Sequence, residues 1–176
     1  MRKGQSLIEA MVAISILTVG FLGITTLLTK SFQLNRVAAD QTKGTYLAAE
    51  GIEITKNILD YGVFNGIATG VAGWGKCFSI TGYYQLDYLT NDCSITPIPF
   101  SLVSSPATIY FDPASGLYSN IPVGGSIKTI FQRDVYVEYK GDEIDVHSTV
   151  TWKATAFSSQ SVTLEDHFYN WHPPTN

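Results

Sequence analysis

Lys3-Gly4-Gln5-Ser6-Leu7-Ile8-Glu9 opens the stretch whose reading decides the fold, and Ala10 to Thr29 follows it with twenty residues that carry no formal charge before Lys30. Twenty helical residues, at about 1.5 Å rise each, reach roughly 30 Å, the thickness of bilayer hydrocarbon. The pattern predicts one membrane-spanning helix over about residues 7–29. Arg2 and Lys3 precede it, so the positive-inside rule keeps the N-terminus cytoplasmic and places the chain beyond Lys30 on the far side. Glu9 is the anomaly. An ionised carboxylate at the head of an apolar span is costly unless a cation pairs with it.

The chain has 176 residues, of which 45% are apolar and 15% charged, so a modest single domain with a packed core is expected rather than a disordered chain. Its charge is uneven. Residues 1–61 hold six Lys/Arg against five Asp/Glu, whereas residues 62–176 hold five against ten. An acidic second part lacks the cationic field that captures phosphate backbones, so no direct nucleic-acid binding is expected.

No proline occurs before Pro97, and Leu34, Val37, Ala38, Ala48, Ile52, Ile58 and Leu59 keep helical spacing, which predicts a helix running on to about Tyr61. Its second part is amphipathic and requires a sheet to cover it. Glu50, Glu53, Lys56 and Asn57 fall on the other face, read here as solvated, with Glu53 and Lys56 in position to pair at i,i+3. Gly20 and Gly23 lie within the span and permit close backbone approach.

The run Lys3-Gly4-Gln5-Ser6-Leu7-Ile8-Glu9, continued by Ala10-Met11-Val12-Ala13-Ile14, resembles the class III signal of type IV pilins and type II secretion pseudopilins. The resemblance implies that prepilin peptidase cuts between Gly4 and Gln5 and methylates the new terminus, although Gln5 stands where the family commonly has Phe or Met. It implies an assembly role for Glu9 and Gln5: the new α-amine of Gln5 on one subunit meets Glu9 of a neighbour, pairing two charges that are each costly in lipid. Competing readings are an ordinary secretory signal cut near Val37-Ala38-Ala39 and a plain membrane anchor. The first is disfavoured by the length of the apolar run, the second by Glu9 so early in the span.

Six of the twenty-one residues from Gly62 to Gly82 are glycine, which predicts the end of the helix and a long connection to about Ala107. Within it lie Cys77 and Cys93 and a strand candidate at Tyr83–Tyr88. The topology puts both thiols in an oxidising compartment, and closing the loop between them would stabilise by roughly 3 kcal/mol. A disulfide staple is favoured over a redox or metal role, because the spacing is not that of a ligand pair.

Beyond the connection, period-two alternation predicts antiparallel strands at Thr108–Phe111, Ile127–Tyr139, Ile144–Phe157 and Ser161–Tyr169, with Asp112-Pro113-Ala114-Ser115-Gly116 as a turn. Phe131, Val135, Val137 and Tyr139 share one face, as do Ile144, Val146, Val150, Trp152 and Ala154, and then Val162, Leu164 and Phe168. Arg133 and Asp166 fall on that same parity, where a charge requires a partner or an exit to water: a bulge or edge exposure that lets both reach water is the main expectation, and a structural ion pair between them is the alternative. The fold class is α+β: the pilin fold, a long N-terminal helix packed on a C-terminal antiparallel β-sheet. Its segments are a leader at 1–4, the helix at 5–61, a glycine-rich connection at 62–107 and the sheet domain at 108–176.

His147, His167 and His172 are the only histidines, and neither their spacing nor the acidic turn Asp142-Glu143-Ile144-Asp145 matches a metal-ligand pattern; both are read as solvated surface and no metal is predicted, the lesser alternative being a calcium ion at that turn, which the resemblance to some pseudopilins implies. Nucleophile-elbow, phosphate-loop and dinucleotide signatures do not occur in the sequence, and no cofactor and no enzymatic activity are expected. The expected function is that of a structural, minor subunit of a type IV pilus or pseudopilus. Expected partners are other pilin or pseudopilin subunits through their N-terminal helices, prepilin peptidase, a pilus assembly platform protein and the cytoplasmic membrane. The expected location is that membrane, then a periplasmic or extracellular filament. Alternatives are a membrane-anchored adhesin whose aromatic-rich connection binds a ligand, and a pseudopilin of a type II secretion or competence system.

Overall fold

One helix, α1, spans Lys3–Thr69. The computed structural model describes residues 3–69, 74–88, 106–155 and 158–171. The chain divides into two units, Met1–Asp40 and Gln41–Asn176, and every described residue of the first is helical.

In the second unit the helical residues from Gln41 onward lie against an antiparallel sheet of six strands: β1 (Gly82–Tyr84), β2 (Ala107–Phe111), β3 (Tyr118–Ser119), β4 (Ile127–Tyr139), β5 (Glu143–Thr155) and β6 (Ser158–Tyr169). Their order is β3-β2-β4-β5-β6, and β1 pairs with the far part of β4 beside β2, matching Gly82 to Val137 and Tyr84 to Val135. Inward alternation builds two apolar clusters. One joins Ile54, Ile58 and Leu59 of α1 to Phe78, Tyr84, Val135, Val137, Ile144 and Val146. The other joins Leu47 and Ala48 to Ile109, Phe131, Val150 and Trp152.

Small residues set the helix-to-sheet distance. A Cβ on Gly44 would come within 2.8 Å of the Trp152 ring, and one on Gly51 within 2.4 Å of Ser148 Oγ. With the fully buried Ala48 between them, these positions make one flat helix face over which β4 and β5 pass closely. The burial starts there: Leu34 and Val37, expected on a covered face, are 69% and 46% exposed.

The helix also continues past its expected end at Tyr61. A helical glycine costs only about 1 kcal/mol. Burial of Ile58 and Leu59 on the preceding turn offsets that penalty at Gly62. The strand expected at Tyr83–Tyr88 is confined to Gly82–Tyr84, because only this segment lies along β4. β4 has the expected bounds, while β6 starts three residues earlier than expected. Between β2 and β3, Asp112 organises the expected turn: its carboxylate accepts the Ala114 N–H at 2.9 Å and the Ser115 hydroxyl at 2.6 Å, and Gly116 closes the turn at φ 74°.

Arg133 and Asp166 do not pair with each other, and of the two only Asp166 reaches water. Arg133, 4% exposed, sits opposite Val150, which sits opposite Val162; Asp166 is opposite Val146, further along the edge strand, and is exposed. The guanidinium turns toward the helix instead. Nη1 donates to Leu47 O at 3.0 Å and to Glu50 Oε2 at 3.1 Å, while Nη2 donates to Leu86 O at 3.1 Å. Glu50 therefore leaves the solvated helix face assigned to it and supplies the counter-charge to a buried cation. Next to Leu86, the buried Asp87 carboxylate accepts the Ser119 hydroxyl at 2.6 Å and the Asn120 N–H at 2.7 Å. Helix, sheet and the segment after β1 are thus joined through polar groups that sequence parity alone does not connect.

Candidate functional site

The N-terminal segment is defined by its lack of cover. Leu7, Ile8, Met11, Val12, Ile14, Leu17, Phe21 and Leu28 are all more than half exposed, and none of the most apolar window of α1 is buried. An apolar surface of this extent is unstable in water and requires lipid or other helices around it. The helix is long and apolar enough to cross a membrane.

Its hydroxyl side chains from Ser15 to Thr29 are satisfied from within. Ser15 donates to Met11 O at 2.7 Å, Thr18 to Ser15 O at 2.9 Å, Thr25 to Leu22 O at 3.0 Å and Thr29 to Thr25 O at 2.9 Å. Bonded in this way, a hydroxyl can enter an apolar medium without leaving a donor unpaired. Gly20 and Gly23 have no atom within 4 Å of an added Cβ, so no packing among the described residues accounts for them.

Glu9 is exposed on this segment, and Gly4 and Gln5 belong to its helical backbone, with side chains outside the described set. Cys77 is disulfide-bonded, and its sulfur lies 3.7 Å from Ile58 O against the core. Cys93 lies outside the described residues.

A second group of residues escaped sequence reasoning. Glu143, Asp145 and His167, expected as unrelated surface groups, bring one ligand atom each to within 4.8 Å of one another. Glu143 and Asp145 are two apart on β5 and share a face, and β6 sets His167 directly opposite Asp145. His167 Nδ1 is 3.0 Å from Glu143 Oε1 and 2.8 Å from Asp145 Oδ1, while Nε2 is 3.2 Å from Glu165 Oε1. Lys140 bonds the other Asp145 oxygen. Hydrogen bonds that the ring donates to Glu143 and then Asp145 hold His167 above its ordinary pKa. Burial works against the Asp145 charge, yet hydrogen bonds from Lys140 and His167 keep its carboxyl below the usual range. The signal lies in cross-strand pairing, which linear spacing does not display. His172, the third histidine, lies outside the described residues.

Residues 1–25 match the family model described as the prokaryotic N-terminal methylation motif. No curated protein and no solved structure matches the chain. The motif implies processing by prepilin peptidase and assembly with other pilins, and together with the one apolar helix among the described residues it supports a single-pass, membrane-anchored protein. That motif at the head of a long helix, and that helix packed on an antiparallel sheet, support a type IV pilin-like protein.

Proposed function

We propose that the chain is a minor pilin or pseudopilin: a prepilin held in the cytoplasmic membrane with its N-terminus inside, cut between Gly4 and Gln5, and inserted by an assembly platform into a helical filament. The observation carrying this reading is the prepilin-type motif on a helix whose apolar surface is uncovered. Filament neighbours would remove that surface from water and lipid alike, at about 25 cal/mol per Å² of apolar area taken from water. Glu9 of each subunit then accepts the Gln5 α-amine of the next, which fixes axial register as well as cancelling charge. The acidic sheet domain faces solvent in the periplasm or outside the cell, with Cys77 bonded to Cys93 to close its connection.

Expression of the full chain with and without a prepilin peptidase tests the reading. Peptidase-dependent loss of the mass of residues 1–4, and then recovery of the shortened chain in sheared fibres, is the expected result. An uncut chain, or a cut chain that never enters a fibre, would favour an anchored binding module instead.

A further inference from the structure

We propose that Glu143, Asp145 and His167 form a binding site for a divalent transition-metal ion of the zinc type. Three ligand atoms from two paired strands already converge: His167 Nδ1 stands 3.0 Å and 2.8 Å from the two carboxylate oxygens. Metal–ligand bonds of about 2.0–2.1 Å place tetrahedral ligands roughly 3.3 Å apart, so an ion fits between these atoms with only small side-chain movements.

The ring is flanked by acceptors on both sides. At Nδ1 a single N–H would have to serve two carboxylates, and a metal ion at that point gives each oxygen a full bond. At Nε2 the Glu165 carboxylate, 3.2 Å away, orients the imidazole as an outer carboxylate does for a metal-bound histidine. The scaffold is stiff, because the ligands stand on neighbouring strands in continuous register from Glu143 opposite Tyr169 to Val150 opposite Val162.

The ligands are graded in exposure, with Asp145 at 5%, Glu143 at 31% and His167 at 43%. An ion has access from solvent and keeps a fourth position open. One imidazole nitrogen with two carboxylate oxygens suits zinc, cobalt or nickel better than calcium or magnesium, which take oxygen sets. Lys140 is the internal competitor, since its ammonium bonds the free oxygen of Asp145 and repels an incoming cation.

The test is titration of the full chain in detergent micelles with Zn²⁺ by calorimetry, and with Co²⁺ by visible absorption, circular dichroism confirming that each variant is folded. One saturable site per chain is expected, with the absorption of a four-coordinate Co²⁺ centre. His167→Gln should weaken Zn²⁺ binding at least tenfold, His147→Gln should change it less than twofold, and Lys140→Met should tighten it. Absence of saturable binding, binding indifferent to His167→Gln, or loss of affinity in Lys140→Met would each overturn the site.

Discussion

Arg133 Nη1 and Glu50 Oε2 lie 3.1 Å apart, joining the central strand β4 to the helix that covers it. The guanidinium is almost wholly inside while the carboxylate keeps 31% of its side-chain surface, so the two halves of the pair are unequally replaceable. Removing Glu50 leaves a buried cation with two carbonyl partners; removing Arg133 leaves an acid that can still reach water. Arg133→Ala also deprives the Leu47 and Leu86 carbonyls of their donor and empties a packed volume.

Glu50→Ala, which leaves the Arg133 cation buried without its counter-charge, is expected to destabilise the sheet domain by about 3–5 kcal/mol in urea unfolding of the full chain in detergent. Asp166→Asn should cost less than about 0.5 kcal/mol, as for ordinary surface positions. Equal effects at the two positions would contradict the assignment of Glu50 as the partner.

Gly51 and Ser148 offer a steric test. Gly51→Ala forces a methyl group into the space of the Ser148 hydroxyl and should cost about 1–3 kcal/mol. Ser148 Oγ is buried with no hydrogen-bond partner among the described residues, so Ser148→Ala is expected to be neutral or stabilising, by up to about 1 kcal/mol. The double variant should recover part of the loss, read as a coupling in a double-mutant cycle. Gly20→Ala, with open space around it, should leave the unfolding of the sheet domain unchanged.

Two aspartates give pH effects of opposite sign. Burial raises Asp134 above its ordinary 3.8, so the fold favours its protonated form and loses stability as pH rises from 3.8 through the folded value. Asp134→Asn should accordingly raise Tm at neutral pH. The Ser115 hydroxyl and the Ala114 N–H lower Asp112 below 3.8; its stabilisation is present above that value and is lost as pH falls through the folded one. Asp112→Ala should lower Tm at pH 7 and have little effect below the folded value. Thermal melts between pH 2 and about 8 separate the two.

Glu9→Ala should leave cleavage and the melting of the sheet domain intact while reducing incorporation into fibres, scored by immunoblot of the sheared fraction. Normal incorporation would remove the register role from Glu9.

Cys77→Ser should lower stability by roughly 3 kcal/mol if a loop of about fifteen residues is opened. Comparison of reduced and oxidised wild type by urea unfolding gives the same quantity, and agreement between the two assigns the effect to the bond rather than to the side chain.

The strands were legible because one face of each is buried and the other is not: alternation from Phe131 to Tyr139 registers directly in the residue types. The N-terminal segment was legible for a different reason, since charge is excluded from a length of chain that must lie in lipid. Parity, however, tells only which way a side chain points. It put Arg133 on the inner face, yet gave no means of choosing Glu50 on the helix over Asp166 on the edge strand. The grouping of Glu143, Asp145 and His167 was hidden because its members meet through strand register across a chain separation of more than twenty residues. The helix end was misplaced at Tyr61 because a glycine's intrinsic penalty is visible in sequence and the burial that offsets it is not.

Arg133 has a mechanical consequence. In the proposed fibre, tension would reach each subunit through its helix, and a helix held to a sheet by apolar contacts alone can slide along it at small cost per step. Here the guanidinium grips Leu47 and Glu50 on one side and Leu86 on the other, so sliding must break charged hydrogen bonds together rather than in sequence. Shear would then have to break the helix's bonds to Arg133 in addition to its apolar contacts.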